Sequence, residues 1–330
     1  MTLGALVVGL GQIGMGFDLK LDPAAHILTH ARAFQQHPAF QLLGGVDPDV
    51  GRRKLFEDHY GGKAYADIDA AMSALRPDVV AVSTPTELHS KTVHSILKTR
   101  VPTAILCEKP LSYDIEEARD IVDVCREGNC RLYVNYIRRS DPGVAEVKRR
   151  LLEGDIACPV KGVVWYSKGL LNNGSHFFNL LQYWLGDMHE IRVIQPGRLW
   201  GGLDPEPDLM VSFVHGNACF LAAREENFSH YTIELIAPNG RLRYEQGGDR
   251  ILWQPTTADA TCEGYTVLSP IEEIINADLA RIQWHVADQM AASLGGHQGR
   301  ISSGSDALQT LEVLSAIRTA QCTSSPRTIV

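Results

Sequence analysis

Leu3-Gly4-Ala5-Leu6-Val7-Val8-Gly9-Leu10-Gly11-Gln12-Ile13-Gly14 is a short apolar run that passes directly into a G-x-G-x-x-G turn. Each glycine of such a turn has its own use. The first permits the tight turn, the second lets backbone N–H groups approach a pyrophosphate, and the third permits close packing of the following segment on the strand. The stretch therefore predicts a first strand and a dinucleotide cradle formed by Gly9, Gly11, Gln12, Ile13 and Gly14.

Further apolar runs follow at Phe40 to Val46, Val79 to Ser83, Thr103 to Cys107 and Arg131 to Val134. Helical patterns separate them; Ile115, Ala118, Ile121, Val122 and Cys125 recur at three- and four-residue steps, the period of an amphipathic helix. Alternation of this kind builds βαβ units and a parallel sheet. Thr84-Pro85 and Lys109-Pro110 end two strands sharply, and in a doubly wound sheet such carboxyl ends face the ligand crevice.

After Ile137 the pattern becomes one of strands joined by turn signals. Gly216-Asn217 lies between Leu209 to Val214 and Ala218 to Ala222, and Asn239-Gly240 between Tyr231 to Ile236 and Arg241 to Tyr244. Both read as two-residue hairpin loops, so this second domain is expected to be α+β with a mostly antiparallel sheet. Ile275, Leu279, Ile282, Val286 and Met290 predict one long helix, and Leu308, Leu311, Leu314 and Ile317 another. The domains are set at 1–136 and 137–330, and with no Pro/Gly/Ser-rich tether between them they are expected to share a cleft.

The 330 residues suit two domains, and 45% hydrophobic with 21% charged residues excludes disordered and collagen-like chains. With 31 Lys+Arg against 39 Asp+Glu, the formal charge of −8 argues against nucleic acid and membrane surfaces as partners. The apolar start from Met1 to Phe17 carries five glycines and no basic flank and falls short of the ~20 residues of a bilayer span, so neither signal peptide nor membrane helix is expected. Seven scattered cysteines, Cys107, Cys125, Cys130, Cys158, Cys219, Cys262 and Cys322, never form C-x-x-C and read as reduced thiols of a cytoplasmic protein. His26 and His30 have no third ligand at motif spacing, so no metal is expected. Trp165, Trp200, Trp253 and Trp284 read as core.

Asp47 ends the second run in Gly45-Val46-Asp47-Pro48. A carboxylate there accepts hydrogen bonds from an adenosine ribose and repels a 2′-phosphate, which favours NAD over NADP. Arg52 and Arg53 follow and read as solvated charges on the next helix. Gly14 and Asp47 are 33 positions apart, against about 20 in the simple pattern, so Phe17 to Ile27 is read as an insertion. Glu108-Lys109-Pro110 brings a carboxylate and an ammonium to the crevice, where a lysine can stabilise developing alkoxide charge. Asn172-Asn173-Gly174-Ser175-His176 opens a helix with Ser175 as expected cap. Phe177, Leu180, Leu181 and Trp184 mark its apolar face, while His176 and Asn179 share another, expected to be solvent-reachable. An imidazole there suits general acid/base work.

Together these motifs resemble the glucose-fructose oxidoreductase/inositol dehydrogenase/MocA-like (Gfo/Idh/MocA) oxidoreductases. The residues that carry the likeness are the glycine turn, Val46-Asp47, Ser83-Thr84-Pro85 with His89, Glu108-Lys109-Pro110, and Gly174-Ser175-His176 with Asn179. The resemblance implies a Rossmann domain followed by an α/β domain whose open sheet forms oligomer contacts, giving a homodimer or homotetramer. It implies NAD-dependent oxidation or reduction of a hydroxyl on a sugar, cyclitol or nucleotide-linked sugar. Lys109 matches the family's active-site lysine, His176 its acid/base histidine, and Thr84, Pro85, His89 and Glu108 positions around the cofactor. Asn172, Asn173, Asn179, Tyr166 and Lys168 fall where the substrate is held. The chain departs from the family at Asn172 and Asn179, where relatives have aspartates, and at Tyr166-Ser167-Lys168-Gly169, which replaces a glycine-rich approach. An amide holds a hydroxyl but takes no proton. Alternatives from the same fold are a non-catalytic NAD- or sugar-sensing regulator and an NAD-dependent glycoside hydrolase or epimerase.

Overall fold

In the computed structural model, which describes residues 2–297, 299–321 and 328–329, the chain forms two units, Met1–Ser140 with Ala280–Gln309 and Asp141–Leu279 with Thr310–Val330. This division differs from a single boundary at 136/137, because residues 280–309 return to the first unit.

In the first unit β1 (Leu3–Val8), β2 (Phe40–Val46), β3 (Lys63–Tyr65), β4 (Val79–Val82), β5 (Ala104–Cys107) and β6 (Arg131–Val134) are all parallel, in the order β3-β2-β1-β4-β5-β6. This is the doubly wound order, with its reversal between β1 and β4. Residues 5–7 and 79–82 are fully buried, as expected where helices cover both faces of a parallel sheet. The helices are α1 (His30–Gln36), α2 (Val50–Tyr60), α3 (Ile68–Leu75), α4 (His89–Thr99) and α5 (Ile115–Glu127). Thr29, Asp49, Asp67 and Asp114 cap α1, α2, α3 and α5, each accepting from a first-turn N–H.

No long helix follows the glycine turn. Gln12–Gly16 makes one π-helical turn, and α1 begins only at His30, so the expected insertion occupies the place of the first two helical turns. One buried carboxylate organises it. Asp18 accepts hydrogen bonds from Leu28 N at 2.7 Å, Thr29 N at 3.0 Å and Thr29 Oγ1 at 2.9 Å, and lies 3.5 Å from Arg32 Nε. The helix Ile282–Leu294 completes this core. Val286, Ala287 and Met290 cluster with Val7, Phe34 and Phe40, and Ile27 N donates to Ala280 O. The long helix expected from Ile275 is thus shorter. Ile275 belongs to a strand opposite Ile251, and the Asp278 N–H is taken by the Asp141 carboxylate at 2.9 Å, so three- and four-residue apolar spacing here runs across a strand and a turn.

The second unit holds α6 (Pro142–Glu153), β7 (Val160–Tyr166), α7 (Ser175–Leu185), β8 (Met188–Trp200), β9 (Asp204–Phe213), β10 (Gly216–Ala222), β11 (Thr232–Ala237), β12 (Gly240–Glu245), β13 (Arg250–Ala258), β14 (Thr266–Leu268), β15 (Glu273–Ile275) and β16 (Thr328–Ile329). Its sheet runs β14-β13-β12-β11-β7-β10-β9-β8-β16, with β15 on β13, and is antiparallel except where β7 meets β10. Phe178 stacks on Phe220 at 4.1 Å and Trp184 meets Tyr244 edge-on at 5.9 Å, packing α7 on one face. The other face leaves Val163, Trp165 and Ile236 exposed, so Trp165 is not core.

Both hairpins slip from their expected turns, the first by two residues and the second by one. Phe213 pairs with Gly216 and Ala237 with Gly240, so the loops are Val214-His215 and Pro238-Asn239 and each glycine begins a strand. A Cβ at Gly216 would lie 2.3 Å from Val160 O and one at Gly240 2.5 Å from Gln254 O; close approach of the neighbouring strand, not the turn, requires the glycines. The last helix spans Gly304–Gln321, entered through a Ser303–Asp306 capping box. The six described cysteines are free thiols, and Cys322 lies outside the described residues. Among the described residues no helix is long and apolar enough to cross a membrane.

Because Asp18 holds three donors and a guanidinium in a dry site, Asp18→Ala is expected to cost about 3–5 kcal/mol, measured by urea unfolding. A loss below about 1 kcal/mol would show that the insertion does not depend on it.

Candidate active site

In the first unit the carboxyl ends of β1, β2 and β4 open onto a cavity of about 820 Å³. Gly9, Gly11, Gln12, Ile13, Asp47, Thr84 and Pro85 all line it, so seven of the expected cofactor residues meet there. The three glycines differ in what demands them. Gly9 has φ +97°, and a Cβ on it would sit 2.6 Å from the Ser83 carbonyl; a Cβ on Gly14 would sit 2.0 Å from Gly9 O. Gly11 has extended backbone, and nothing lies within 4 Å of its Cβ position. The fold needs the first and third glycines, whereas the bare second one leaves room in the cavity for something else.

Thr84 Oγ1 is buried with no hydrogen-bond partner, a hydroxyl at the cavity wall that a ligand could satisfy. Asp47 is buried and preoriented. Its Oδ2 accepts from Leu10 N and its Oδ1 from Asp49 N, both at 2.9 Å, leaving further lone pairs for a ribose hydroxyl. Arg52 lines the same cavity with Nη1 3.5 Å from Asp47 Oδ2, whereas Arg53 caps the Asp47 and Pro48 carbonyls. An open glycine, a free hydroxyl and a held carboxylate fit a dinucleotide.

The other expected cofactor residues lie behind the cavity wall rather than on it. His89 is buried, with Nε2 3.0 Å from Thr84 O and Nδ1 3.0 Å from Pro110 O, and so ties the exits of β4 and β5 together. Glu108 accepts from His30 Nε2 at 2.8 Å and Asn135 Nδ2 at 2.6 Å, which places it in a bracing network. Lys109, the next residue, is likewise absent from the cavity lining. His30 and Asn135 were not legible as site residues, since neither belongs to a motif and their common partner lies 78 and 27 positions away.

In the second unit the segment before α7 is a π-helical turn, Gly169–Gly174. It rests on carboxylates of β9 that no motif announced. Asp204 accepts from Leu171 N at 2.9 Å and Asn172 N at 2.8 Å, and Glu206 accepts from Gly169 N at 3.1 Å while Arg198 Nε holds its other oxygen. Burial pushes the Asp204 carboxyl up, against the pull of these amides. Gly169 has φ +81°, and a Cβ there would meet Asp204 Oδ2 at 2.1 Å.

Several expected substrate residues are engaged by the protein itself. Tyr166 is fully buried and its hydroxyl donates to Pro207 O at 2.6 Å; burial holds the phenol well above its ordinary value, so it does not exchange protons near neutrality. Asn179 is buried and donates to Thr310 Oγ1 at 3.1 Å. Lys168 pairs with Glu225 at 2.9 Å, and Asn173 Nδ2 donates to Ser167 O. Ser175 does not cap α7: it is the first helical residue, and its hydroxyl donates back to Asn172 O. His176, in the first turn, is 9% exposed rather than freely solvated.

A reversal-point cavity with an open glycine, in a chain whose second unit carries a mostly antiparallel sheet and a histidine-bearing helix, defines a doubly wound dinucleotide-binding domain followed by an α+β domain. Residues 3–136 match the model of the Gfo/Idh/MocA oxidoreductase family with NAD-binding Rossmann fold. It is 28% identical to inositol 2-dehydrogenase of Rhizobium meliloti over 156 residues, 47% of this chain and 42% of that one. It is 24% identical to D-apiose dehydrogenase of Paraburkholderia graminis over 339 aligned positions, 92% of this chain and 85% of that one. The chain thus matches less than half the length of the first relative and most of the second. In fold it is similar to an oxidoreductase from Agrobacterium radiobacter solved with NAD+, L-tartaric acid and magnesium, with TM-score 0.76 and 18% identity over 100% of this chain and 98% of that one.

Gly11→Ala and Gly14→Ala are expected to separate binding from folding. Gly11→Ala should leave the melting temperature within about 1 °C and weaken NADH binding about tenfold or more, since its methyl enters only the cavity. Gly14→Ala should cost about 1–3 kcal/mol, since its methyl meets backbone. Fluorescence titration and thermal melts check both.

Proposed function

We propose that the chain catalyses NAD-dependent hydride transfer to or from a secondary alcohol or ketone of a sugar, cyclitol or nucleotide-linked sugar. The observation that carries the reading is the open Gly11 beside Thr84 and the preoriented Asp47 in one cavity at the reversal point of the sheet. The nicotinamide supplies the hydride acceptor or donor; the protein's task is to bind, orient and manage charge and protons.

Asp47 accepts from the adenosine ribose and disfavours a 2′-phosphate, which makes NAD the preferred cofactor. The Lys109 ammonium donates to the reacting oxygen and stabilises alkoxide character. His176 exchanges the hydroxyl proton, and Asn172 orients the sugar without taking a proton. The amides of Asn173 and Asn179, with Lys168 and Tyr166, support the substrate side through the segment before α7 rather than by proton transfer. Copies of the chain assemble as a homodimer or homotetramer through the open sheet face, where Val163, Trp165 and Ile236 are exposed; a monomer mass by light scattering would overturn this.

A second reading is favoured by Asn172 and the burial of His176: a binding protein of the same fold that senses NAD and sugar without chemistry. The two separate on a panel of polyols and aldoses containing myo-inositol and D-apiose. Hydride transfer gives an absorbance change at 340 nm, whereas tight NADH binding with none across the panel favours the sensor. With an accepted substrate, Lys109→Ala and His176→Ala should each lower kcat by about 10²–10⁴ while NADH still binds. Parental turnover in either variant rejects its assigned role, and tighter binding of NADPH than NADH rejects that of Asp47.

A further inference from the structure

The strand end that carries Lys109 is braced by a buried polar network that the proposed reaction leaves unused. His30 and Asn135 are each 1% exposed, and the Glu108 side chain 14%. Both neighbours converge on the same oxygen, Glu108 Oε1: Asn135 Nδ2 at 2.6 Å and His30 Nε2 at 2.8 Å. An ionised carboxylate can only accept, so His30 Nε2 carries the hydrogen of that contact. Three distant segments meet here: the start of α1, the exit of β5 and the residue after β6. The first is delivered by the insertion, because Asp18 grips Thr29, the residue before His30.

Burial alone would drive such a carboxylate towards its neutral form. Donors near a charged acceptor oppose this and are stronger than neutral hydrogen bonds. For Glu108 desolvation is the largest single influence, yet the His30 and Asn135 donors and the Lys109 charge together bring the carboxyl below its ordinary value. The other titratable group facing it is Cys107, whose thiol is pushed well up by burial and by the Glu108 charge and stays neutral. Glu108 is therefore an anion next to Lys109, surrounded by His30, Asn135 and a neutral thiol.

We propose that His30 and Asn135 are positioning residues for Lys109: by donating to Glu108 they keep this carboxylate ionised in a buried site, and the anion holds the neighbouring ammonium charged at the end of β5. The inference rests on the reading of Lys109 as the group that stabilises the reacting oxygen, and it deepens that reading, since a protonated lysine is the form that donates to an alkoxide. It also assigns a task to the insertion, which delivers His30 to the back of the site.

The test needs no substrate. The Lys109 titration midpoint is measured from the pH dependence of trace acetylation by acetic anhydride, read by mass spectrometry of the peptide containing Lys109, on the full chain. Glu108→Gln, nearly isosteric, should lower the midpoint by about one pH unit. His30→Leu and Asn135→Leu should lower it in the same direction, and His30→Gln, which keeps a donor, should restore at least half of the shift. Circular dichroism and thermal melts show which variants fold. An unchanged midpoint in folded Glu108→Gln overturns the inference, and so does equal behaviour of folded His30→Leu and His30→Gln. If His30→Leu does not fold, Glu108→Gln and Asn135→Leu still decide it. Full turnover by Lys109→Ala would instead reject the catalytic reading of Lys109 and leave the labelling result standing.

Discussion

The exits of β1 and β4 approach so closely that no side chain fits between them. Ser83 Oγ reaches back to donate to Gly9 O at 2.7 Å and lies 3.1 Å from Val8 O, and a methyl on Gly9 would strike the Ser83 carbonyl. This contact pins the glycine turn at the point where the strand order reverses, and the cavity depends on it. Gly14 then packs on Gly9 O, while Gly11 alone is left without protein atoms near its Cβ position. The same three letters in the motif therefore do two different jobs, two steric and one of accommodation.

The net charge of −8 is a statement about the surface as a whole, yet some of the acidic residues that matter most are inside. Asp18, Asp47, Asp204 and Glu206 are each buried and each accepts backbone N–H groups of an irregular segment: the end of the insertion, the turn after β1, and the π-helical turn before α7. Irregular backbone cannot satisfy its own donors, and a carboxylate, which offers several lone pairs, can serve two or three of them at once. Both site-bearing segments are built in this way. Glu108 differs in that its donors are side chains, which ties its charge to residues that mutation can remove one at a time.

The parts of the fold that read directly from sequence are those whose burial is uniform. β1, β2, β4, β5 and β6 are apolar runs because helices cover both faces, and α5 shows its period because Ala118, Ile121 and Cys125 point one way. β3 shows no apolar run, because Lys63-Ala64-Tyr65 is three residues long and at most part-buried. The hairpins slipped because Gly216 and Gly240 look like turn residues although neighbouring strands require them. The apolar spacing from Ile275 to Met290 crosses a strand and a helix without losing its period, and only pairing with Ile251 separates them.

The sequence by itself determined the class of the first unit and its cavity, since a strand, a G-x-G-x-x-G turn and Asp47 are local features whose geometry follows from backbone sterics and strand order. It also nominated Lys109 and His176 through their motifs. Only the tertiary structure decided which polar side chains are already spent. Tyr166 on Pro207, Asn179 on Thr310, Lys168 on Glu225 and Glu108 on His30 and Asn135 are all contacts across 27 to 131 positions of chain. A polar residue's availability depends on whether a distant partner satisfies it on burial, and chain spacing carries no record of that.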